Sequence, residues 1–296
     1  MQGFLKKESE IMIELIIVAV VQICLESLPV SSSGHEQLAM RLWGDAHGMM
    51  GSIPHFFDHF LHGPTIIILA IFFCAQWGPL LRRIVAALLH KKRSGHQKKL
   101  LHICGKLLLW VVCANGITAL LYGVIKVWLK NSAALQSDGA LLAGFAATAG
   151  MLGALFFVDK KPDQAKQLTL GNMLLLGLVQ GVALMPGISR FACTFTTARL
   201  LGVRARRAFE LSFALLFPLI TAAFFGSGLP GLVKSDMRAD IFSMPFMLAM
   251  LGATVVSYFL FVLAHRLAIR RLLWVFAVYM LLPIGLLVWH MVLGKY

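Results

Sequence analysis

An all-α polytopic membrane protein is what this sequence predicts, arranged as an inverted-topology repeat with two re-entrant helical hairpins and about six full transmembrane helices. Three observations carry the prediction. Of the 296 residues, 59% are apolar and only 14% charged, against roughly 25% charged in an ordinary soluble domain, and the mean hydropathy is +0.81. Apolar runs recur along the whole chain, most of them near the ~20 residues needed to cross a bilayer. Two of these runs stop at a proline, about half a chain apart. This composition excludes a soluble enzyme, a disordered protein and a secreted disulfide scaffold.

Taken in order, the runs are roughly 11–28, 56–77, 101–125, 139–158, 171–186, 208–228, 243–263 and 273–293. The first stops at Pro29, and Val30 to Trp43 follows as a second short piece. The 171–186 run is too short to cross comfortably and ends at Pro186-Gly187, with a semi-apolar piece, 188–201, after it. The connecting loops are too short to hold another domain. The chain therefore reads as a single membrane domain over 1–296, with repeat one at about 11–158 and repeat two at about 168–293. The five cysteines form no CxxC pair and lie in apolar stretches, so they read as buried small hydrophobes rather than a disulfide or zinc framework.

The formal net charge is +14. The basic residues sit at the ends of apolar runs, where they set topology and meet anionic headgroups, so membrane lipids are expected partners and nucleic acid is not. The 78–100 loop, with Arg82, Arg83, Lys91, Lys92, Arg93, Lys98 and Lys99, is placed in the cytoplasm. Crossing out and back brings Lys160, Lys161 and Lys166 inside too. The next cluster, Arg199, Arg204, Arg206 and Arg207, is also inside only if 168–198 enters and leaves on one face, as a re-entrant hairpin. Arg266, Arg270 and Arg271 then follow inside. Residues 11–42 are either a second hairpin, entering from outside, or a single span. No motif points to an oligomeric state.

The hairpin option has support within the sequence. Val21-Gln22 opens a stretch that reaches Pro29-Val30-Ser31-Ser32-Ser33, and Val179-Gln180 opens one that reaches Pro186-Gly187-Ile188-Ser189-Arg190. Each would be followed by three spans, an odd number, so the halves would have opposite orientations. Broken backbone at membrane depth is tolerated where it is buried in protein or lines a polar cavity. A helix that restarts after such a break aims free N–H groups and its positive end into that cavity. Two such ends together suit a phosphate or diphosphate.

The side chains fit that ligand. The first break holds Gln22 and Glu26, four apart on one helix face, then Ser31, Ser32, Ser33, Gly34 and His35; the second holds Gln180, Ser189, Arg190 and Thr194. A charge within the membrane costs about 2.5–3.5 kcal/mol on insertion scales. Taken singly, Arg190 is explained by snorkelling to headgroups and the serines by helix capping at a proline break. Together they point to phosphoryl transfer. Arg190 would clamp phosphate oxygens, and hydroxyls and helix N-termini would complete the cradle. Ser32 or His35 could attack directly, or His35 could act as base. Glu26 could hold a divalent cation or orient His35.

The stretch Gln22-Ile-Cys-Leu-Glu26-Ser-Leu-Pro-Val-Ser-Ser-Ser-Gly-His35 resembles the first signature of the undecaprenyl-diphosphate phosphatase family, also called bacitracin-resistance proteins. The stretch Pro186-Gly-Ile-Ser-Arg190-Phe-Ala-Cys-Thr194 resembles its second signature. Phe57-Asp58, Glu210-Leu-Ser-Phe213 and Pro218 match as well, so the resemblance spans nearly the whole chain. It implies an enzyme of the bacterial inner membrane that removes one phosphate from a C55 isoprenoid diphosphate and recycles the lipid carrier of cell-wall synthesis. It further implies a site open to the periplasmic face and a divalent cation, Mg²⁺ or Ca²⁺, held with Glu26. By the same carry-over Glu26, Ser32, His35 and Arg190 are catalytic, and Gln22, Ser31, Ser33, Ser189 and Thr194 bind substrate.

There are departures. Gln22 is the less acidic of the two residues the signature accepts, so one carboxylate fewer is available. Phe191 and Ala192 stand where the family usually has Ser and commonly Gly. Outside the signatures, His55, Asp58, His59 and His62 share one helix face with metal-ligand spacing. The ordinary expectation for them is a helix start whose polar face meets water or headgroups, since sequence alone supplies no partner to orient the imidazoles. The competing function is a transporter or flippase, because inverted repeats with broken helices also serve transport. The phosphatase reading is preferred, since His35, Glu26 and three serines exceed what binding requires.

Overall fold

The computed structural model describes residues 2–47, 54–89, 94–129, 137–159 and 168–293. Lys91, Lys92, Arg93, Lys160, Lys161 and Lys166, used above for topology, lie outside the described residues. Among the described residues every regular element is helical. Helix α1 (Gln2–Glu26) ends where Pro29 removes a backbone donor, and α2 (Ser32–His47) starts directly after it. Three long helices follow: α3 (His55–Leu89), α4 (Gly95–Leu129) and α5 (Asp138–Val158). The second broken pair is α6 (Leu170–Val182) and α7 (Arg190–Leu200). Helix α8 (Ala205–Ala223) passes through a π-helical turn, Phe224–Gly228, into α9 (Leu229–Lys234). The short α10 (Arg238–Ile241), α11 (Met244–Ile269), α12 (Val275–Tyr279) and α13 (Leu281–Leu293) complete the chain.

Among the described residues, six helical stretches are long and apolar enough to cross a membrane: 56–89, 95–125, 138–158, 205–234, 244–269 and 275–293. Their large apolar side chains, among them Ile67, Leu108, Phe259 and Leu282, face outward, as a lipid-facing surface requires. The protein is thus an all-α polytopic membrane protein. Helix α6 is apolar but has only 13 residues, the length expected of a hairpin arm. Two expected spans are exceeded: α3 and α4 each run to 35 residues, because hydropathy marks the apolar stretch while the helical hydrogen bonds continue through the basic residues at its end.

The core has two parts. A large cluster around Phe145, Phe191, Phe209, Phe213 and Phe261 sits beneath the second broken pair, and a smaller one around Ile23, Phe57, Leu61 and Phe246 joins α1, α3 and α11. The main packings are α1 on α11, α6 on α4, α3 on α8, and α5 on α7, α12 and α13. Both broken pairs are tied by polar contacts between helices, a common device in membranes. The Ser257 hydroxyl donates to the Ile23 carbonyl (2.7 Å) and lies 2.8 Å from the Ser27 hydroxyl. Thr118 donates to the Gly177 carbonyl (2.9 Å), and Gln180 donates to Asn115 (3.0 Å) and Thr118 (3.2 Å).

Two basic residues have partners that sequence did not suggest. Arg199 is buried rather than at a headgroup surface, because Asp159 holds its Nε at 2.8 Å and its second amino group at 2.7 Å. This pair anchors the far end of α7. Lys106 lies 4.8 Å above the Trp110 ring, a cation–π contact. None of the five cysteines is in a disulfide, and the burial expected of them holds only for Cys193; Cys24, Cys104 and Cys113 are half-buried and Cys74 is exposed, because an apolar stretch of a spanning helix also has faces turned away from the core.

Candidate active site

At the first break the chain turns through residues 27–30, and Ser31 takes the left-handed conformation, φ 64°. For a residue other than glycine this stores roughly 1–3 kcal/mol, the kind of strain that gathers at functional sites. Ser31 caps α2, its hydroxyl accepting from Gly34 N–H at 3.3 Å. At the second break Gly187 has φ +77°, where a side chain would be strained. Ser189 caps α7, accepting from Ala192 N–H at 3.2 Å. The second turn is pinned from α5, where Thr148 donates to the Gly187 carbonyl (2.9 Å) and accepts from Ser189 N–H (3.0 Å).

The two breaks touch. A Cβ on Gly34 would come within 2.8 Å of the Gly187 Cα, so only glycine lets the turns approach this closely. Between them lies a half-open cleft of about 340 Å³, the space open to solvent included. Glu26, Ser31, Ser32, Ser33, Ser189 and Arg190 supply its polar wall, with Leu28, Ile188, Phe191 and Leu216 beside them. Two helix N-termini, α2 and α7, therefore start at one cavity, and six of the residues expected in the site line it.

Glu26 is the electrostatic centre. Its Oε2 accepts from Thr65 (3.2 Å) and lies 2.9 Å from His62 Nδ1; its Oε1 faces an Arg190 amino group at 3.8 Å. Glu26 and His62 are both deeply buried, while Arg190 keeps a quarter of its side chain exposed toward the cleft. Arg190 thus faces open space at one end and a carboxylate at the other, ready to meet an anion without leaving its partner.

His35 is buried and borders the cleft through Ser31 rather than directly. Its Nδ1 is 2.8 Å from the Ser31 carbonyl, which can only accept, so Nδ1 carries the proton. Nε2 is then the acceptor for the Tyr279 hydroxyl at 3.2 Å. The ring stacks on Tyr279 and meets the edge of Phe145. Thr194 turns its hydroxyl to the Arg190 carbonyl (2.9 Å), back along its own helix. Gln22 is one turn below Glu26, with its amide donating to Asp58 at 2.7 Å. Phe191 packs its ring 4.6 Å from that of Phe213 and 5.3 Å from that of Phe209, so the aromatic core accounts for an apolar residue at this position.

Four groups at the site were not foreseen as site residues. His62 and Thr65 hold Glu26, and Tyr279 holds His35. Glu36 is buried within electrostatic reach of Glu26 and Asp58. A signal for part of this existed, since Asp58, His62 and Thr65 form a polar stripe at helical spacing on an apolar helix.

The chain matches the family described as "Bacitracin resistance protein BacA" over residues 15–287. It is 28% identical over 275 residues to a Treponema denticola protein named undecaprenyl-diphosphatase, covering 92% of this chain and 94% of that one. A Borrelia hermsii protein of the same name is 29% identical, over 94% of this chain and 98% of its own. A third, from Hahella chejuensis, is 30% identical, over 94% and 97%. With nearly its whole length matched, and with both broken helices brought to one charged cleft, this chain belongs to the bacitracin resistance protein BacA family.

Proposed function

We infer that this multi-pass bacterial membrane protein is an undecaprenyl-diphosphate phosphatase. It hydrolyses undecaprenyl diphosphate to undecaprenyl phosphate and orthophosphate and so returns the lipid carrier to cell-wall synthesis. The observation that carries this reading is the cleft in which Arg190, Glu26 and four serine hydroxyls meet two helix N-termini. The relatives named undecaprenyl-diphosphatase support it.

In this reading the diphosphate enters between the α2 and α7 starts. Arg190 and the backbone N–H groups neutralise its oxygens as charge shifts to the bridging oxygen. The anhydride P–O bond breaks, and water supplies the oxygen and protons of the products. Ser32 at the cleft wall is one candidate nucleophile; His35 is the other, or the base that activates Ser32 or water. Either role for His35 requires Nε2 to exchange the Tyr279 hydroxyl for a reacting group. Leu28, Ile188 and Leu216 give the isoprenoid stem an apolar exit. Ser33, Ser31 and Ser189 still have hydroxyl protons to donate to phosphate oxygens.

Mg²⁺ or Ca²⁺ fits beside Glu26, whose buried Oε1 accepts no hydrogen bond from the described residues and is the hard oxygen donor such ions prefer. Once bound, the ion would screen charge on the diphosphate. We also assign the two halves to an inverted repeat within a single membrane domain, the cleft opening to the periplasmic face. The reciprocal packings α1 on α11 and α6 on α4 support the repeat.

The test is orthophosphate release from C55 isoprenoid diphosphate by detergent-purified protein, with and without EDTA, beside His35→Ala. Release that requires both cation and His35 is expected. Lipid movement in vesicles without any release would replace hydrolysis by transport.

A further inference from the structure

Asp58 and His59 on α3 take no part in the reaction described above, and His62 enters it only through its hold on Glu26. We propose that these three residues form a binding site for a transition-metal dication of the zinc class, separate from the oxygen donor at Glu26. One ligand atom from each lies within 4.8 Å of the others. Asp58 Oδ2 and His59 Nδ1 are 4.0 Å apart, a gap that two metal–ligand bonds of about 2.0–2.2 Å span.

The structure supplies what spacing alone lacked, namely groups that orient the ligands. Glu26 holds His62 Nδ1 at 2.9 Å, which leaves Nε2 as the ligating nitrogen, in the carboxylate–histidine–metal arrangement of protein metal sites. Gln22 holds Asp58 Oδ1 at 2.7 Å, which leaves Oδ2 for the ion. Gln22 itself is 1% exposed, and its Oε1 has no hydrogen-bond partner among the described residues. That buried acceptor, beside the Asp58 carboxylate, is suited to a metal-bound water or to the ion itself.

Charge points the same way. Glu26 and Asp58 both lie within electrostatic reach of His62 at this corner. Arg190 balances part of that negative charge, and a dication at Asp58 balances more. Two imidazoles with one carboxylate favour zinc and its neighbours, whereas Mg²⁺ and Ca²⁺ prefer oxygen alone. Asp58 and His59 each keep a third of their side chains exposed, which leaves the ion a route in. Three protein ligands also leave a coordination position open, as in non-structural zinc sites.

The site is tested by metal binding, independently of phosphatase activity. Full-length protein, free of any histidine tag and stripped with EDTA, is dialysed against Zn²⁺ with a large excess of Mg²⁺. Bound zinc is then counted by elemental analysis. One zinc per chain is expected, with a Co²⁺-substituted sample showing the visible absorption of a nitrogen-liganded site. His59→Ala loses the zinc, and Gln22→Met, which keeps the volume but frees Asp58, weakens it about 10–100-fold. Failure of the wild-type protein to retain zinc overturns the proposal. So does equal zinc in wild type and His59→Ala when both unfold at the same temperature in the absence of metal.

Discussion

At the first break Gln22 and Glu26 precede the turn, Ser31 caps the next helix, and Ser32 and His35 follow. At the second break the same sequence offset places Gln180, Leu184, Ser189, Arg190 and Cys193. The caps correspond in kind: each serine hydroxyl accepts from the N–H three residues on, at 3.3 and 3.2 Å. The glutamines do not. Gln22 meets the carboxylate of Asp58, while Gln180 meets the neutral Asn115 and Thr118. Leu184 replaces the buried acid, and Cys193 the imidazole. A shared backbone device thus carries a carboxylate and an imidazole at one tip and a guanidinium at the other, so in the proposed reaction a complete site needs both.

Matched substitutions can break this comparison. The largest contrast is expected between His35→Ala and Cys193→Ala. Loss of a group acting in general acid–base or nucleophilic chemistry should cost about 10²–10⁴-fold in phosphate release. Cys193, whose thiol only meets Met151, should leave turnover per folded molecule unchanged. Arg190→Ala should come next, with about 10²–10³-fold lower kcat, as for loss of one preorganised charge-stabilising donor. Arg190→Lys should recover part of that, because it keeps the charge but loses the fork.

Smaller effects sharpen the picture. Ser189→Ala removes a cap and should lower stability by about 1 kcal/mol, read as a lower unfolding temperature in detergent. Ser31→Ala should do the same and also reduce phosphate release. Gln180→Met should cost at most about 1–3 kcal/mol of stability by leaving Thr118 and Asn115 with one partner fewer, with no effect on the cation requirement.

Much of the site was legible because polar residues inside apolar runs are exceptions that need a reason. Glu26, Arg190 and the serines stood out for this cause, and the two prolines marked where helices must stop. The partners of these residues were not legible. His62 and Thr65 reach Glu26 from another helix, and Tyr279 reaches His35 from the far end of the chain; such pairings are set by packing, which periodicity does not encode. The histidines at 59 and 62 were visible as a spacing, but their relation to Glu26 and Gln22 was not. The helix ends of α3 and α4 differed from expectation because hydropathy reports the membrane-embedded part of a helix, not its hydrogen-bonded length.

The most direct test of the central claim, one site made by both tips, is a double-mutant cycle on phosphate release with His35→Ala and Arg190→Ala. Residues that act as a unit are strongly non-additive, so the double variant should be little slower than the worse single variant. If the two losses multiply in full, the tips act independently and the account of a shared site is wrong.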